Sequence, residues 1–167
     1  MLKLILAFFL FFSSLNAYES EDKLKVVIIA KVAKFIKWEN KDYDNFIITV
    51  LNNPYGDLFD KTLHRKKIKN KTIEIKYIDD IDSLSDTNIL YISTSDAKQL
   101  TTVLDKTKDK NILTVSDIRG FTDKDGIMQI YFSSQKVKLR INLKTATKEN
   151  LKINSSLLRI ADVIRGE

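Results

Sequence analysis

Cysteine is absent from all 167 residues. Without a thiol the chain makes no disulfide, offers no thiolate to a metal or a substrate, cannot sense redox state through sulfur and has no site for a lipid anchor. Its stability must rest on a packed core. Histidine is almost as scarce: the single one, His64, stands beside Arg65, Lys66 and Lys67, cationic company that disfavours binding a metal ion. Nucleophilic triads and most transition-metal sites need histidine or cysteine, so those chemistries are not expected. With four glycines and one proline, no linker of the usual composition divides the chain, and a single domain over residues 18–167 is expected. Neither GxGxxG nor GxxxxGK[ST] occurs, so the usual dinucleotide and nucleoside triphosphate cradles are missing. Asp79, Asp80 and Asp82 open like a calcium loop but lack its glycine and closing glutamate, and read as a solvated turn. Asp123 and Asp125 read as turn formers in a Gly-flanked loop rather than an acid-base pair. The expectation is a protein that is not an enzyme, with no cofactor and no metal.

Long apolar runs are also missing, with one exception at the start. Lys3, the stretch Leu4 to Phe12 and the small residues leading to Ala17 have the pattern of a cleavable export signal over residues 1–17, giving a mature chain from Tyr18. The run is too short to anchor in a bilayer, so export as a soluble protein is expected. The formal charge of +6 invites a nucleic-acid partner. The cations are mostly lysines scattered along the chain, with no arginine cluster or aromatic RNA-binding signature, so no nucleic acid is expected. Affinity for an acidic partner or for anionic headgroups suits such a surface better.

What is present alternates between helix and strand patterns. Glu19 to Trp38 has helical periodicity, with Lys23, Lys31, Lys34 and Lys37 on one stripe and Leu24, Ile28, Ile29, Val32, Ala33, Phe35 and Ile36 on the other. The acidic Glu19, Glu21 and Asp22 suit its N-terminal end. Phe46 to Leu51 and Ile89 to Ile92 are continuous apolar strands, and Ile112 to Val115 is a fourth strand after the alternating, half-exposed Thr72 to Ile78. Asn53 with Pro54 predicts a helix start running to His64, and Ser95 predicts a cap for a helix to Lys106 buried through Ala97, Leu100, Val103 and Leu104. Ile127 to Phe132 and Val137 to Leu143 are too close in sequence for a parallel crossover and must form an antiparallel hairpin. A closing helix capped at Asn154 or Ser155 would bury Leu157, Leu158, Ile160, Ala161 and Ile164. The expected fold is α/β: a three-layer Rossmann-like sheet with parallel strands in the order 2-1-3-4, extended on the strand-4 side by the C-terminal antiparallel hairpin.

The ordered set LTVSD, GF, GIM, KV.L.INL and LKI.SSLLR.A, running from Leu113 to Ala161, together with the earlier AKVAKFIKWEN, resembles the YfiR-like family of small periplasmic proteins. The resemblance covers residues 24–164. Two departures are Asp125-Gly126, where the family tends to a glycine pair, and the missing cysteines. The resemblance implies a regulator that binds and represses the periplasmic sensor domain of an inner-membrane diguanylate cyclase. It also implies control of cyclic di-GMP and biofilm formation, with an outer-membrane lipoprotein able to draw the repressor away. Homodimer formation stays open. The alternative is a small periplasmic solute-binding protein using the crevice at the strand C-termini. That crevice would be lined by Asn52, Asn53, Tyr55, Ser93, Ser95, Asp117, Arg119 and Phe121. For a protein partner, Arg119 and Phe121 are candidate anchors, against a slightly favoured reading in which Phe121 plugs the end of the core and Arg119 is solvated; Lys31, Lys34 and Lys37 are a candidate basic surface.

Overall fold

The structure, a computed structural model, describes residues 21–39 and 41–166. The expected export signal, the start at Tyr18 and the role given to Glu19 lie outside the described residues. Helix α1 covers residues 21–33 and is followed by β1 (Ile36–Trp38) and β2 (Phe46–Leu51). Next come α2 (Leu58–Leu63), β3 (Lys67–Ile68), β4 (Lys71–Ile78) and β5 (Ile89–Ile92). Helix α3 (Leu100–Thr107) leads to β6 (Leu113–Ser116), and the hairpin is β7 (Met128–Ser133) with β8 (Lys136–Asn142). Helix α4 (Leu143–Lys148), β9 (Leu151–Ile153), α5 (Ser155–Leu158) and β10 (Asp162–Ile164) complete the chain.

The class is mixed α/β. The main sheet has eight strands in the order β10-β8-β7-β6-β5-β2-β4-β3. β4, β2, β5, β6 and β7 run parallel, β8 is antiparallel to β7, and β10 returns parallel to β8. The apolar strands β2 and β5 have a neighbour on each side and are buried at every position, as continuous apolar runs require. β4 alternates and is covered on its outer side only by the two-residue β3.

Each face of the sheet has its own core. On one, Val26, Ile29, Val32 and Ala33 of α1 pack with Ile48, Val50, Tyr91, Val115, Ile130 and Ile141. On the other, Leu100, Val103 and Leu104 of α3 pack with Leu51, Leu90, Ile92, Ile118 and Phe121. Each such side chain contributes on the order of 1.5 to 3 kcal/mol by leaving water, which is how a chain without disulfides holds together.

Several expected elements are corrected. α1 ends at residue 33 rather than at Trp38, because Ile36, Lys37 and Trp38 pair antiparallel with Ile153, Lys152 and Leu151 of β9. The lysine stripe is thereby divided, with Lys31 on the helix, Lys34 in the turn and Lys37 on a strand, all exposed. Leu24 and Phe35, expected inside, are 42% and 44% exposed. Asn53 does not cap a helix: its Oδ1 accepts from Tyr55 N at 3.1 Å, making a side-chain turn, and α2 starts only at Leu58. Ser95 sits inside a 3-10 segment, Thr94–Gln99, that precedes α3, and Ala97 is exposed. Leu143 does not end β8 but begins α4, capped by Asn142 Oδ1 accepting from Thr145 N at 3.0 Å. The closing helix is a single turn. Asn154 caps it, Leu157 is buried, but Ile160 is 75% exposed and Ile164 belongs to β10, because pairing with β8 supplies the backbone partners that a longer helix would have used.

Candidate functional site

The parallel strands deliver their C-terminal ends to one edge of the sheet, where β2, β5 and β6 turn into loops. Asn52 follows β2 in a left-handed conformation (φ 44°), and its amide Nδ2 donates to Asp96 Oδ1 at 2.6 Å. Asp96 is buried, and its other oxygen accepts from Ser93 Oγ at 3.2 Å. The Ser93 and Ser95 hydroxyls bond to each other. The loops after β2 and β5 are thus tied through one carboxylate.

A second cluster sits beside the first. Lys25 on α1 donates to Asp22 Oδ1 at 3.0 Å and to Asp117 Oδ2 at 2.8 Å, the latter on the loop after β6. Asp117 also lies 3.5 Å from the Tyr55 hydroxyl, at the outer limit of a hydrogen bond, and Tyr55 OH meets Tyr91 OH at 2.9 Å. Tyr55, Phe59 and Tyr91 form an aromatic trio with centroids 5.7 to 6.1 Å apart. Burial opposes the charge on Lys25, but hydrogen bonds to Asp117 and Asp22 outweigh it and hold the ammonium well above its ordinary pKa. A lysine so held has no lone pair to offer at neutral pH. Burial pushes the Tyr55 phenol up to about 12 and raises Tyr91 as well, so both stay neutral donors. Asp117 Oδ1 is buried with no hydrogen-bond partner among the described residues. Chemically the arrangement is a clamp: a fixed cation on α1 draws the loop after β6 onto the helix.

Of the expected site residues, Asn52, Asn53, Tyr55, Ser93, Ser95 and Asp117 gather at this edge. Most are already engaged with neighbours, and Ser93 is buried, so it presents no surface. Phe121 is 0% exposed and packs in the α3-side core, with its ring against Gly126; it is not a surface anchor. The glycine there is required because a Cβ on residue 126 would lie 2.3 Å from Phe121 Cε1. Arg119 is exposed and turns away from this cluster to line a groove with Asp123, Gln129 and Arg140. Lys31, Lys34 and Lys37 lie apart, around the C-terminal end of α1. Lys25, Asp22, Tyr91 and Asp96 belong to the strand-end clusters without having been singled out as such. The i, i+3 spacing of Asp22 and Lys25 was the one local signal.

Near that end of α1, Ile28, Lys31, Val32 and Phe35 face Val137, Lys138, Leu139, Leu157 and Ile160 across a groove of about 390 Å³. Its apolar wall is partly open to solvent through Phe35 and Ile160, and lysines stand along its rim.

Comparison with known proteins gives a family and a fold. A family model described as YfiR/HmsC-like matches residues 22–162. No curated protein matches. Among solved structures, a conserved domain protein from Vibrio cholerae is similar with a TM-score of 0.62 at 12% identity, covering 86% of this chain and 60% of that one. The ABC domain from Streptococcus pneumoniae in complex with L-Trp is similar with a TM-score of 0.52 at 14% identity, covering 71% of this chain and 56% of that one. The chain therefore spans less than two thirds of the length of either, and at these identities the likeness is one of fold. No described helix is long and apolar enough to cross a membrane.

Proposed function

Because the chain belongs to the YfiR/HmsC-like family, we propose that it is a periplasmic, non-enzymatic regulator that binds the sensor domain of an inner-membrane diguanylate cyclase and represses it. It reaches that compartment through a cleaved signal over residues 1–17, leaving residues 18–167 as one domain. The observation that carries the reading is the family match over residues 22–162, essentially the whole described chain. The surface supports it. Phe35 and Ile160 are large apolar groups left open on one groove, and an apolar centre with a polar rim is the usual anatomy of a protein interface. Lys31 and Lys138 on that groove, with Lys34 close by, favour an acidic face on the partner. This moves the expected interface from the Asp117 to Phe121 loop, whose aromatic residue is buried, to the end of α1.

The solute-binding alternative ranks second, because the polar groups at the strand ends are largely engaged with one another. Cross-linking in native cells followed by capture of the tagged protein tests the first reading: a diguanylate cyclase with a periplasmic segment should be enriched. Phe35→Asp combined with Ile160→Asp should abolish that enrichment while leaving thermal unfolding near wild type. Capture of transporter permeases in place of a cyclase would replace the proposal with the alternative.

A further inference from the structure

The face of the sheet opposite α1 is covered by α3 over β5 and β6, but over the hairpin it carries a polar groove. Alternation along the strands sends Met128, Ile130 and Ile141 to the core, and Gln129, Tyr131 and Arg140 to the other side. The registers then align Ser116, Gln129, Arg140 and Asp162 in one row across β6, β7, β8 and β10. Arg119 and Gly120 close one end, and a 3-10 turn, Thr122–Lys124, brings Asp123 alongside. The groove has a volume of about 420 Å³.

Three features indicate that it is a built site. Gln129 is only 6% exposed, and its side-chain amide, which makes no hydrogen bond to the described residues, opens onto the groove. Its donors and its acceptor are therefore available to a molecule seated there. Arg140 is committed: Nη1 lies 3.2 Å from Asp123 Oδ2, and Nε lies 3.2 Å from Asp162 Oδ2, without the alignment of a hydrogen bond. Arg119 has no ion-pair partner among the described residues. The two arginines and two aspartates balance formally, but the guanidinium of Arg119 is the charge left uncommitted. A free cation would meet two arginines, and a compact dianion such as phosphate would be repelled by both aspartates. A monoanion with a flat neutral body fits. Its carboxylate can take the fork of Arg119, a polar atom can pair with Gln129, and the half-buried ring of Tyr131 offers a stacking face.

We propose that the groove formed by Arg119, Gln129, Tyr131 and Arg140 is a binding site for a small planar organic carboxylate. The site is separate from the groove at the end of α1 and does not depend on the cyclase reading. The test is an NMR titration of the purified protein with benzoate as the probe, with benzamide and inorganic phosphate in parallel arms. Benzoate should shift the Gln129 side-chain amide and the Arg119 Nε–H in a saturable way, and benzamide and phosphate should bind at least about tenfold more weakly. Arg119→Met, on an exposed side chain, should leave the melting temperature unchanged and weaken benzoate about tenfold or more. Gln129→Leu should weaken it too, by removing the polar partner on the groove floor. No saturable shift with benzoate overturns the proposal. So does benzoate binding that survives Arg119→Met, or phosphate binding as tight as benzoate.

Discussion

The packing of Phe121 on Gly126 yields a prediction with a built-in control. The ring is fully buried, and its Cε1, Cδ1 and Cζ atoms lie 2.3, 2.4 and 2.5 Å from where a Cβ on residue 126 would sit. Phe121→Ala should cost about 3 to 5 kcal/mol, because it removes a buried aromatic ring and leaves a cavity that the surrounding strands cannot collapse into. Gly126→Ala should cost about 1 to 3 kcal/mol for the opposite reason, since the enclosed ring has nowhere to move. Combined, the two should cost clearly less than their sum: once the ring is gone, the three close contacts of the new methyl group go with it, and the methyl fills part of the void. Urea unfolding followed by fluorescence of the single tryptophan, buried Trp38, provides the assay. With a typical denaturant slope, the Phe121→Ala midpoint should fall on the order of 2 M. An unchanged midpoint for Phe121→Ala, or strict additivity in the double variant, would refute the packing and return Phe121 to the list of surface groups.

The Lys25 clamp predicts that Lys25→Met, which strands two largely buried carboxylates, destabilises by about 3 to 5 kcal/mol; a melting temperature within a degree or so of wild type would show the carboxylates to be well solvated. The alkaline limb follows from Tyr55, whose folded pKa of about 12 lies above the ordinary 10. The folded state then holds the proton more tightly, so stability is full below pH 10 and declines as pH rises through 12, and Tyr55→Phe should flatten that decline in urea titrations. Lys41 behaves oppositely: burial lowers it to about 8 against the pull of Asp86 and Glu149, and its ammonium donates to the Thr87 carbonyl at 2.6 Å. Its folded pKa is depressed, so its contribution is present above the unfolded value near 10.5 and lost as pH falls through 8. Competitive acylation near neutral pH, read by mass spectrometry, should modify Lys41 ahead of the exposed lysines once differences in accessibility are normalised; a rate constant no higher than theirs after that correction contradicts the depressed value.

The sequence made the mixed α/β class legible because runs such as Phe46 to Leu51 and the alternation in Val137 to Asn142 report burial on two faces or one. It did not reveal β1 pairing with β9 or β10 pairing with β8, each three residues long and each held by partners distant in sequence. No periodicity develops over three residues, so helical propensity lost to tertiary pairing just beyond the C-terminal ends of α1 and α5. The strand-end residues Asn52, Tyr55, Ser93 and Asp117 were readable from their position after apolar strands. Lys25 was not, because its contact with Asp117 joins residues 92 apart and a lysine near a helix start reads as solvated. Phe121 plugs the end of the core formed with α3, the reading a large apolar residue just after a core strand favours, so of the loop's two candidate anchors only Arg119 stays at the surface.

The regulator reading is tested most directly by the cellular level of cyclic di-GMP in three strains: one lacking this gene, one restored with the wild-type chain, and one restored with the Phe35→Asp, Ile160→Asp chain. Repression of a cyclase predicts a rise on deletion, a return to the parental level with the wild-type chain, and no return with a variant shown to be exported and folded. A cyclic di-GMP level unaffected by deletion, in cells where the protein is present in the periplasm, would contradict the reading.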